Sequence, residues 1–417
     1  MSQTTLGLKP WMTAPATTAV FDALEARGGS GCVRFVGGAV RNALMGRPVD
    51  DIDLATTLEP TAVIEALQAA GLKAIPTGLE HGTVTALAQG RTFEITTLRR
   101  DVETDGRRAV VAYTTDWAED AQRRDFTLNA LYADRQGNIF DPLGGGVADA
   151  RAGRIVFVGD ARTRIAEDYL RILRFFRFSA WYGTGAPDAE GLAACAEMRD
   201  HLTDRPGERV SKELLKLLAA DDPRAAVRLM QETGVLAVIL PPVEDLSQFD
   251  SLVEIESEML FECDVLLRLA CLLPTDQIGV GKAAERLRLS NAERDRLIAA
   301  RGQGPRITSW MSPRESRRAV YALGASTFHD RIKLAWAASP RTATAPQWRG
   351  LIALAGSWQA PPFPLTGEDV VHAGVPRGPM VGDVLREVEA WWIDHDFLDD
   401  KFSAIEKLKA VAQGMAY

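Results

Sequence analysis

Short apolar runs alternate with helical stretches through about the first 158 residues of the chain. Runs of β-forming residues lie at 33–38 (VRFVGG), 83–88 (TVTALA), 93–98 (FEITTL), 109–114 (AVVAYT), 138–143 (NIFDPL) and 154–159 (RIVFVG). Between them, residues 61–71 (TAVIEALQAAG) have the spacing of an amphipathic helix. Short strands that alternate with helices are typical of an α/β or α+β domain.

The strand signals nearly disappear after residue 160, where amphipathic helices follow one another to the end of the chain. We predict helices within the segments 164–183, 209–220, 223–234, 249–273, 283–289, 291–304, 314–324 and 382–397. Leu214, Leu217 and Leu218 have the i, i+3, i+4 spacing of one buried stripe. The pattern predicts an α+β head followed by a long helical body.

Composition limits the classes of protein that fit this chain. Hydrophobic residues make up 46% of it and charged residues 25%, as in an ordinary soluble protein. The net charge of −8 means that a nucleic acid would have to meet a local basic face. No apolar run approaches the roughly 20 residues of a membrane span, and no signal peptide is visible, so we expect no membrane association. Four cysteines without CxxC spacing predict buried thiols in a reducing compartment, the cytoplasm.

The segment Asp51-Ile52-Asp53-Leu54 alternates polar and apolar residues, as a strand does. Side chains two apart on a strand point to the same face, so Asp51 and Asp53 would lie together. Shared divalent cations would remove their repulsion, and two such ions about 3.5–4 Å apart can activate a hydroxyl and stabilise a leaving pyrophosphate. Glu94, flanked by Phe93 and Ile95, is a candidate third metal ligand. The alternative is a polar strand edge with no ligand.

Gly37 and Gly38 follow a predicted strand and precede a helical stretch. Bare backbone N–H groups at such a turn can hold phosphates, with Arg41 one turn later as a further donor. No GxxxxGK[ST] motif exists, so a P-loop enzyme is excluded. An HD-type metal site at His329-Asp330 or His395-Asp396 is the other metal reading, although its remaining histidine ligands are not in view.

Seven motifs, in the same order along the chain, resemble those of a known family. They are GGAVRNALMGRPVDDIDLAT (37–56), EHGTVTAL (80–87), EITTLRRD (94–101), RRDFTLNALY (123–132), FDPLGG (140–145), RIAEDYLRILRFFRF (164–178) and GERVSKELLKLL (207–218). They resemble the DNA polymerase β-type nucleotidyltransferases, specifically the bacterial tRNA CCA-adding enzyme and poly(A) polymerase family. Asn42 departs from the family, which usually has Asp there, so we give it no metal role.

The resemblance implies an α+β fold with a polymerase β-like nucleotidyltransferase head at 1–158 and an elongated, all-helical remainder. The remainder comprises a neck at 159–240, with a nucleotide-selecting helix, and a tRNA-binding body and tail at 241–417. The implied activity is template-independent addition of C, C and A from CTP and ATP to the 3′ end of tRNA, with release of pyrophosphate. Two Mg²⁺ ions, for which Mn²⁺ can substitute, are the implied cofactors, and no obligatory protein partner is indicated.

Protein side chains select the base in this family, and the matching motif is the segment 167–171. We predict that Asp168 and Arg171 lie three apart on one helix face. Arginine only donates and ionised aspartate only accepts hydrogen bonds, so the pair matches the acceptor and amino groups of cytosine and adenine. Uracil and guanine would set an N–H against the arginine and be rejected. The plain alternative is a surface ion pair.

Further residues are assigned to the nucleotide site by the same resemblance. Arg174 and Arg177 continue the row of arginines, and contact with triphosphate or RNA suits their charge. The resemblance also implies that Arg124 contacts the nucleotide. Asp125 and Asn129 are four apart and are expected on one helix face near the ribose, with helix capping by Asp125 as the alternative.

The subclass depends on two segments. The polar stretch 101–122 resembles the loop associated with the switch from C to A addition, which argues against an enzyme limited to CC addition. The chain ends without the basic extension common in poly(A) polymerases, although a poly(A) polymerase and an A-adding-only enzyme remain alternatives. A non-catalytic RNA-binding protein and a transferase for small molecules are the readings from other classes.

Overall fold

The computed structural model of the protein describes residues 4–102 and 110–414. The chain divides into two compact units, Met1–Ile239 and Leu240–Tyr417. The first unit contains strands and helices, and the second unit is helical throughout its described part. The α+β prediction is therefore confirmed, whereas the finer division into head, neck and body remains a prediction.

Among the described residues, seven strands of the first unit form one mixed sheet, and two further strands pair with each other. The strands are β1 (Val33–Val36), β2 (Asp53–Thr56), β3 (Lys73–Gly78), β4 (Thr83–Ala88), β5 (Arg91–Thr97), β6 (Arg99–Val102), β7 (Val110–Tyr113), β8 (Tyr132–Ala133) and β9 (Ile139–Phe140). The sheet order is β3-β4-β5-β2-β1-β8-β9, and β6 pairs with β7. Strands β2 and β5 run parallel, and the other neighbours in the sheet are antiparallel. This mixed order sets the carboxyl end of β1 beside the start of β2.

The helices of the first unit cover the sheet and continue the chain beyond it. They are α1 (Pro10–Thr13), α2 (Pro15–Gly28), α3 (Gly38–Leu44), α4 (Pro60–Ala69), α5 (Trp117–Gln122), α6 (Gly146–Ala152), α7 (Ala161–Glu167), α8 (Arg171–Tyr182), α9 (Ala189–Met198), α10 (Gly207–Leu218), α11 (Arg224–Glu232) and α12 (Val235–Ile239). Helix α8 packs against α10. Helix α8 buries Phe175 and Phe176, and α10 buries Leu214, Leu217 and Leu218, so the predicted leucine stripe is confirmed.

The second unit is built from helices with clear start signals. They are α13 (Ser247–Glu258), α14 (Val265–Cys271), α15 (Gln277–Arg286), α16 (Asn291–Arg301), α17 (Pro313–Leu323), α18 (Ala325–Ala338), α19 (Ala345–Ser357), α20 (Gly367–His372), α21 (Pro379–Asp394) and α22 (Lys401–Gly414). Ser290 and Ser312 cap α16 and α17 in reciprocal capping boxes. Short 3₁₀ turns lie at Leu79–His81, Thr127–Asn129, Arg199–Leu202 and Thr342–Thr344.

Three predicted elements were wrong in detail. The segment 154–159 forms a single β-bridge instead of a strand, between Phe126 and Phe157, and the Phe157 ring packs against the rings of Phe126 and Phe175. The helix predicted over 164–183 is broken between α7 and α8. The helix predicted over 249–273 is broken between α13 and α14, where Leu260 has a φ of 55°.

The four cysteines form no disulfide; three are buried, but Cys263 is exposed, so the expectation of burial was wrong there. Among the described residues, no helix is both long and apolar enough to cross a lipid bilayer.

Candidate active site

The order of the sheet brings the glycine turn and the acidic residues together. Strands β1 and β2 are antiparallel, with Phe35 opposite Leu54, so Gly37 after β1 lies near Asp53 at the start of β2. Strands β2 and β5 are parallel and in register, with Asp53 opposite Glu94. The two carboxylates therefore share one face of adjacent strands. Sequence alone paired Asp53 with Asp51, but strand β2 begins only at Asp53, so Asp51 lies in the exposed segment before it.

The surroundings of Asp53 disfavour its ionised form. Burial, followed by the nearby charges of Glu94 and Asp51, raises the pKa of Asp53 to about 6, and Arg124 and Arg41 offset only part of this rise. A carboxylate crowded by other negative charges in this way is matched by a hard divalent cation, whose preferred ligands are oxygens. The donor chemistry at this edge therefore fits a divalent metal ion.

The protein would supply only part of the ligands of such an ion. Across residues 4–102 and 110–414, no three acidic, histidine or cysteine side chains form a ready-made metal cluster. Mg²⁺ commonly takes one or two carboxylates and completes its shell with water and substrate phosphates. The same finding applies to the HD-type metal site considered at His329-Asp330. Asp330 instead pairs with Arg296, with Arg296 Nε 2.8 Å from Asp330 Oδ2.

A cavity of about 500 Å³, which we name the carboxylate cavity, opens over these strands. Its lining includes Gly37, Asp53, Glu94, His81, Arg99, Arg123 and Arg124. Gly37 has a φ of 61°, a conformation that favours glycine, and a side chain there would approach the Arg124 guanidinium. The Gly37 turn thus places its backbone and the Arg124 guanidinium in the same cavity as Asp53 and Glu94, which form the acidic edge of the sheet.

Arg41 is buried beneath the turn instead of lining the cavity. Its guanidinium donates to Asn129 Oδ1 at 2.7 Å, to Tyr182 Oη at 2.7 Å and to Asn42 Oδ1 at 2.8 Å. Burial lowers the pKa of Arg41, although the charges of Tyr182 and Asp125 partly compensate. Its predicted contact with phosphate stays a prediction, as does that of Gly38, since neither residue lines the cavity.

A second cavity, of about 540 Å³, lies where α8 meets α10. We name it the arginine cavity, and its lining is Arg123, Arg124, Asp125, Asp168, Leu170, Arg171, Arg174, Arg177, Arg209, Lys212, Glu213 and Lys216. Cationic side chains outnumber carboxylates in this lining, which suits an anionic ligand in a chain of net negative charge. Six residues that sequence assigned to the nucleotide site are among them.

Asp168 and Arg171 do not lie on one helix, as the sequence predicted. Helix α7 ends at Glu167, Asp168 is extended with φ −151° and ψ 104°, and α8 begins at Arg171. Asp168 accepts from Arg209 Nη2 at 2.8 Å, whereas Arg171 pairs with Glu167 and donates to the Arg164 carbonyl at 2.8 Å. Both side chains nevertheless line the same cavity, from two different backbone conformations.

Buried Asp125 and Asn129 form one hydrogen-bonded network with the partly exposed Arg174. Asn129 Nδ2 donates to Asp125 Oδ1 at 3.0 Å, and Arg174 Nε donates to Asp125 Oδ2 at 2.9 Å. Burial would raise the pKa of Asp125, but Arg174 and Asn129 lower it overall. A 3₁₀ turn at Thr127–Asn129, not the predicted α-helical face, brings the pair together. Asp125 lines the arginine cavity; Asn129 lies behind it.

Arg123 and Arg124 line both cavities, and one carboxylate fixes them. Asp120 accepts from Arg123 Nε at 2.8 Å, from Arg124 Nη2 at 2.9 Å and from the Tyr132 hydroxyl at 2.7 Å. The Asp120 side chain is only 1% exposed. Burial would raise its pKa, but Arg124 and Arg123 outweigh burial and lower that pKa to about 2. The shared cations are therefore held by a carboxylate that stays ionised.

Sequence reasoning missed the contribution of α10 and of Asp120. Arg209, Lys212 and Lys216 all face the arginine cavity from α10. Their spacing of three and four places them on one face, away from the leucine stripe, and that signal was readable in GERVSKELLKLL. Asp120 had no such signal, because an acid three and four positions before two arginines is common on helix surfaces.

Comparison with known proteins decides the family. Residues 33–156 match a family model described as the poly A polymerase head domain, and residues 187–246 match one described as a probable RNA and SrmB-binding site of polymerase A. The mitochondrial CCA tRNA nucleotidyltransferase 1 of Mus musculus is 35% identical over 386 residues, covering 90% of this chain and 86% of the mouse protein. The chain belongs to the CCA tRNA nucleotidyltransferase family. Membership in this family implies the use of a divalent metal ion.

Solved structures of other family members show the same fold. The CCA-adding enzyme of Bacillus stearothermophilus, in complex with CTP, aligns with a TM-score of 0.75 at 24% identity, covering 97% of this chain and 99% of that one. The CCA-adding enzyme of Thermotoga maritima, complexed with tRNA, aligns with a TM-score of 0.66 at 20% identity, covering 96% and 97%. The CCA-adding fold therefore accounts for nearly the whole chain.

Proposed function

We propose that this CCA tRNA nucleotidyltransferase adds C, C and A from CTP and ATP to the 3′ end of tRNA without a nucleic-acid template. In each step the RNA 3′-hydroxyl oxygen bonds to the α-phosphate, and the bond from that phosphorus to the bridging oxygen breaks to release pyrophosphate. The observation that carries the proposal is that Arg123 and Arg124 line both cavities. A nucleotide can therefore place its triphosphate toward the acidic edge and its base toward Asp168 and Arg171.

The acidic edge is the proposed centre of phosphoryl transfer. Asp51 and Asp53 would hold two Mg²⁺ ions, or Mn²⁺ in their place, with Glu94 as the third ligand. Such ions supply activation of the attacking hydroxyl and stabilisation of the leaving pyrophosphate. Gly37, Gly38, Arg41 and Arg124 are the proposed phosphate contacts, of which Arg124 already has its guanidinium at the Gly37 turn.

The arginine cavity is the proposed site of base selection. Asp168 would accept from the amino group of cytosine or adenine, and Arg171 would donate to the adjacent ring nitrogen. A base that offers the opposite pattern leaves buried groups unmatched, which supports strong rejection of uracil and guanine. Arg174 and Arg177 are proposed to contact phosphate or RNA, and Asp125 with Asn129 to lie near the ribose.

Incorporation of labelled nucleotides tests the proposal directly. The protein is incubated with Mg²⁺, each of the four nucleoside triphosphates in turn, and tRNA ending before CCA, after CC or after CCA. We expect C on the first substrate, A on the second and nothing on the third. Addition of A alone would indicate an A-adding enzyme, and long A tails on any RNA would indicate a poly(A) polymerase. No incorporation of any nucleotide would favour a non-catalytic RNA-binding protein.

Two further assignments belong with this proposal. The head, neck and body divisions at residues 1–158, 159–240 and 241–417 are proposed as the nucleotidyltransferase, base-selecting and tRNA-binding parts. The cytoplasm is the proposed compartment, supported by cysteines that form no disulfide. The mouse relative is named as mitochondrial, so fractionation of cells that express the tagged chain would decide between the two compartments.

A further inference from the structure

One face of α10 lines the arginine cavity. Val210, Leu214 and Leu217 bury the opposite face, while Arg209 and Glu213, one turn apart, point toward the segment 168–177. Glu213 forms an ion pair with Arg177, with Oε2 2.7 Å from Nε. Helix α10 therefore carries charges opposite to those that it faces. Arg209 meets Asp168 just before α8, and Glu213 meets Arg177 on α8.

Both oxygens of Asp168 are already engaged by protein groups. Oδ1 accepts from the backbone N–H of Leu170 at 3.1 Å, and Oδ2 accepts from Arg209 Nη2 at 2.8 Å. The first contact is local to the turn that follows α7, whereas the second comes from α10, 41 residues away in sequence. An ionised carboxylate has about four acceptor positions, so two engaged positions leave room for a base.

Arg171 is oriented by a different set of partners. It pairs with Glu167 and donates to the carbonyl of Arg164, both on α7. The backbone N–H of Arg171 donates to the Asp168 carbonyl at 2.9 Å, so one turn of backbone joins the two residues, but their side chains have separate partners. The orientation of the acceptor depends on α10, and the orientation of the donor depends on α7.

We infer that Arg209 is a positioning residue for base selection, and this inference rests on the proposed function. The Arg209 guanidinium holds Oδ2 so that the free lone pairs of Asp168 face the cavity beside Arg171. Without it, Asp168 keeps only its contact with the Leu170 N–H and presents an acceptor in several orientations. An acceptor without a fixed direction distinguishes an amino group from a carbonyl oxygen poorly, so selectivity falls more than turnover.

Single-nucleotide incorporation by Arg209→Ala, Arg209→Lys and wild type tests the inference. The measured quantity is the ratio of kcat/KM for CTP over UTP on tRNA ending before CCA, and for ATP over GTP on tRNA ending in CC. We expect Arg209→Ala to lower each ratio about fivefold, as befits a partly exposed charge pair, and Arg209→Lys to restore part of it. Arg162→Ala is the matched control, because it removes an exposed ion pair with Glu197 outside the cavity and should leave the ratios unchanged.

A double-mutant cycle separates positioning from direct binding or folding. In an Asp168→Ala background, Arg209→Ala should change the ratios no further, because its effect passes through Asp168. Equal losses for all four nucleotides with unchanged ratios would overturn the inference and make Arg209 a contact for phosphate or RNA. A full further loss in the Asp168→Ala background, or a melting temperature lowered in step with the ratios, would also overturn it. If wild-type protein incorporates no nucleotide, the proposed function fails instead.

Discussion

Replacing Asp120 with asparagine is the most informative single perturbation of this protein. The side chain is 1% exposed and holds Arg123 and Arg124, which are 15% and 17% exposed. Its pKa falls from an ordinary value of 3.8 to about 2, and a difference of that size corresponds to about 2 kcal/mol of stabilisation by the ionised form. The amide also leaves two guanidiniums without their counter-charge, a loss that costs about 3–5 kcal/mol when a buried pair is broken outright. Since asparagine still accepts one hydrogen bond, we expect destabilisation of about 2–4 kcal/mol at pH 7.

Urea denaturation followed by circular dichroism measures this difference. A carboxyl whose pKa is lower in the folded chain stabilises it above the unfolded pKa, and that contribution disappears as the pH falls from about 4 to about 2. The gap between wild type and Asp120→Asn should therefore be full at pH 6 and shrink as the pH is lowered below 4. Asp22→Asn, in an exposed pair with Arg135, is the control and should change stability by less than about 0.5 kcal/mol. An Asp120→Asn variant as stable as wild type at pH 7, or a gap that does not depend on pH, would refute the reasoning.

Three other outcomes are expected, each with its own measurement. Asp53→Asn should lower nucleotide incorporation by about a thousandfold or more while tRNA affinity in a filter-binding assay stays intact, with Asp50→Asn as the control; parallel loss of binding would make the acid structural. Arg171→Ala should lower the preference for CTP over UTP by about a hundredfold in single-nucleotide assays, and an unchanged preference would contradict the pairing scheme. Chelation by EDTA should abolish incorporation, and added Mg²⁺ or Mn²⁺ should restore it; full activity in EDTA would exclude metal-dependent transfer.

The sequence predicted the fold correctly where local patterns determine the structure. Alternation in TVTALA and FEITTL predicts strands β4 and β5, because a strand half-buried on one face leaves a period of two. The break between α7 and α8 could not be predicted, because the helical spacing of apolar residues continues across Asp168. The Asp168 carboxylate pairs with Arg209, which is remote in sequence. A pattern within one segment carries no information about such a partner.

The candidate site was readable in its residue types more than in its contacts. The acids and the arginine row were found because their chemistry and order resemble a known family. The register that sets Asp53 opposite Glu94 was not visible, since parallel pairing joins strands from separate parts of the chain. Part of the polar stretch 101–122, residues 103–109, lies outside the described residues, so its link to the switch from C to A addition stays a prediction.

The arginines shared by the two cavities limit what genetics can separate. In the proposed binding mode, a change at Arg123, Arg124 or Asp120 affects the phosphate end and the base end of the same nucleotide together, so we expect such alleles to lose rate and fidelity at once. Alleles that divide these traits must be sought at residues that line one cavity only, such as Asp53 or Asp168. An enzyme redesigned to accept a different base would therefore be altered around Asp168, with the paired arginines left untouched.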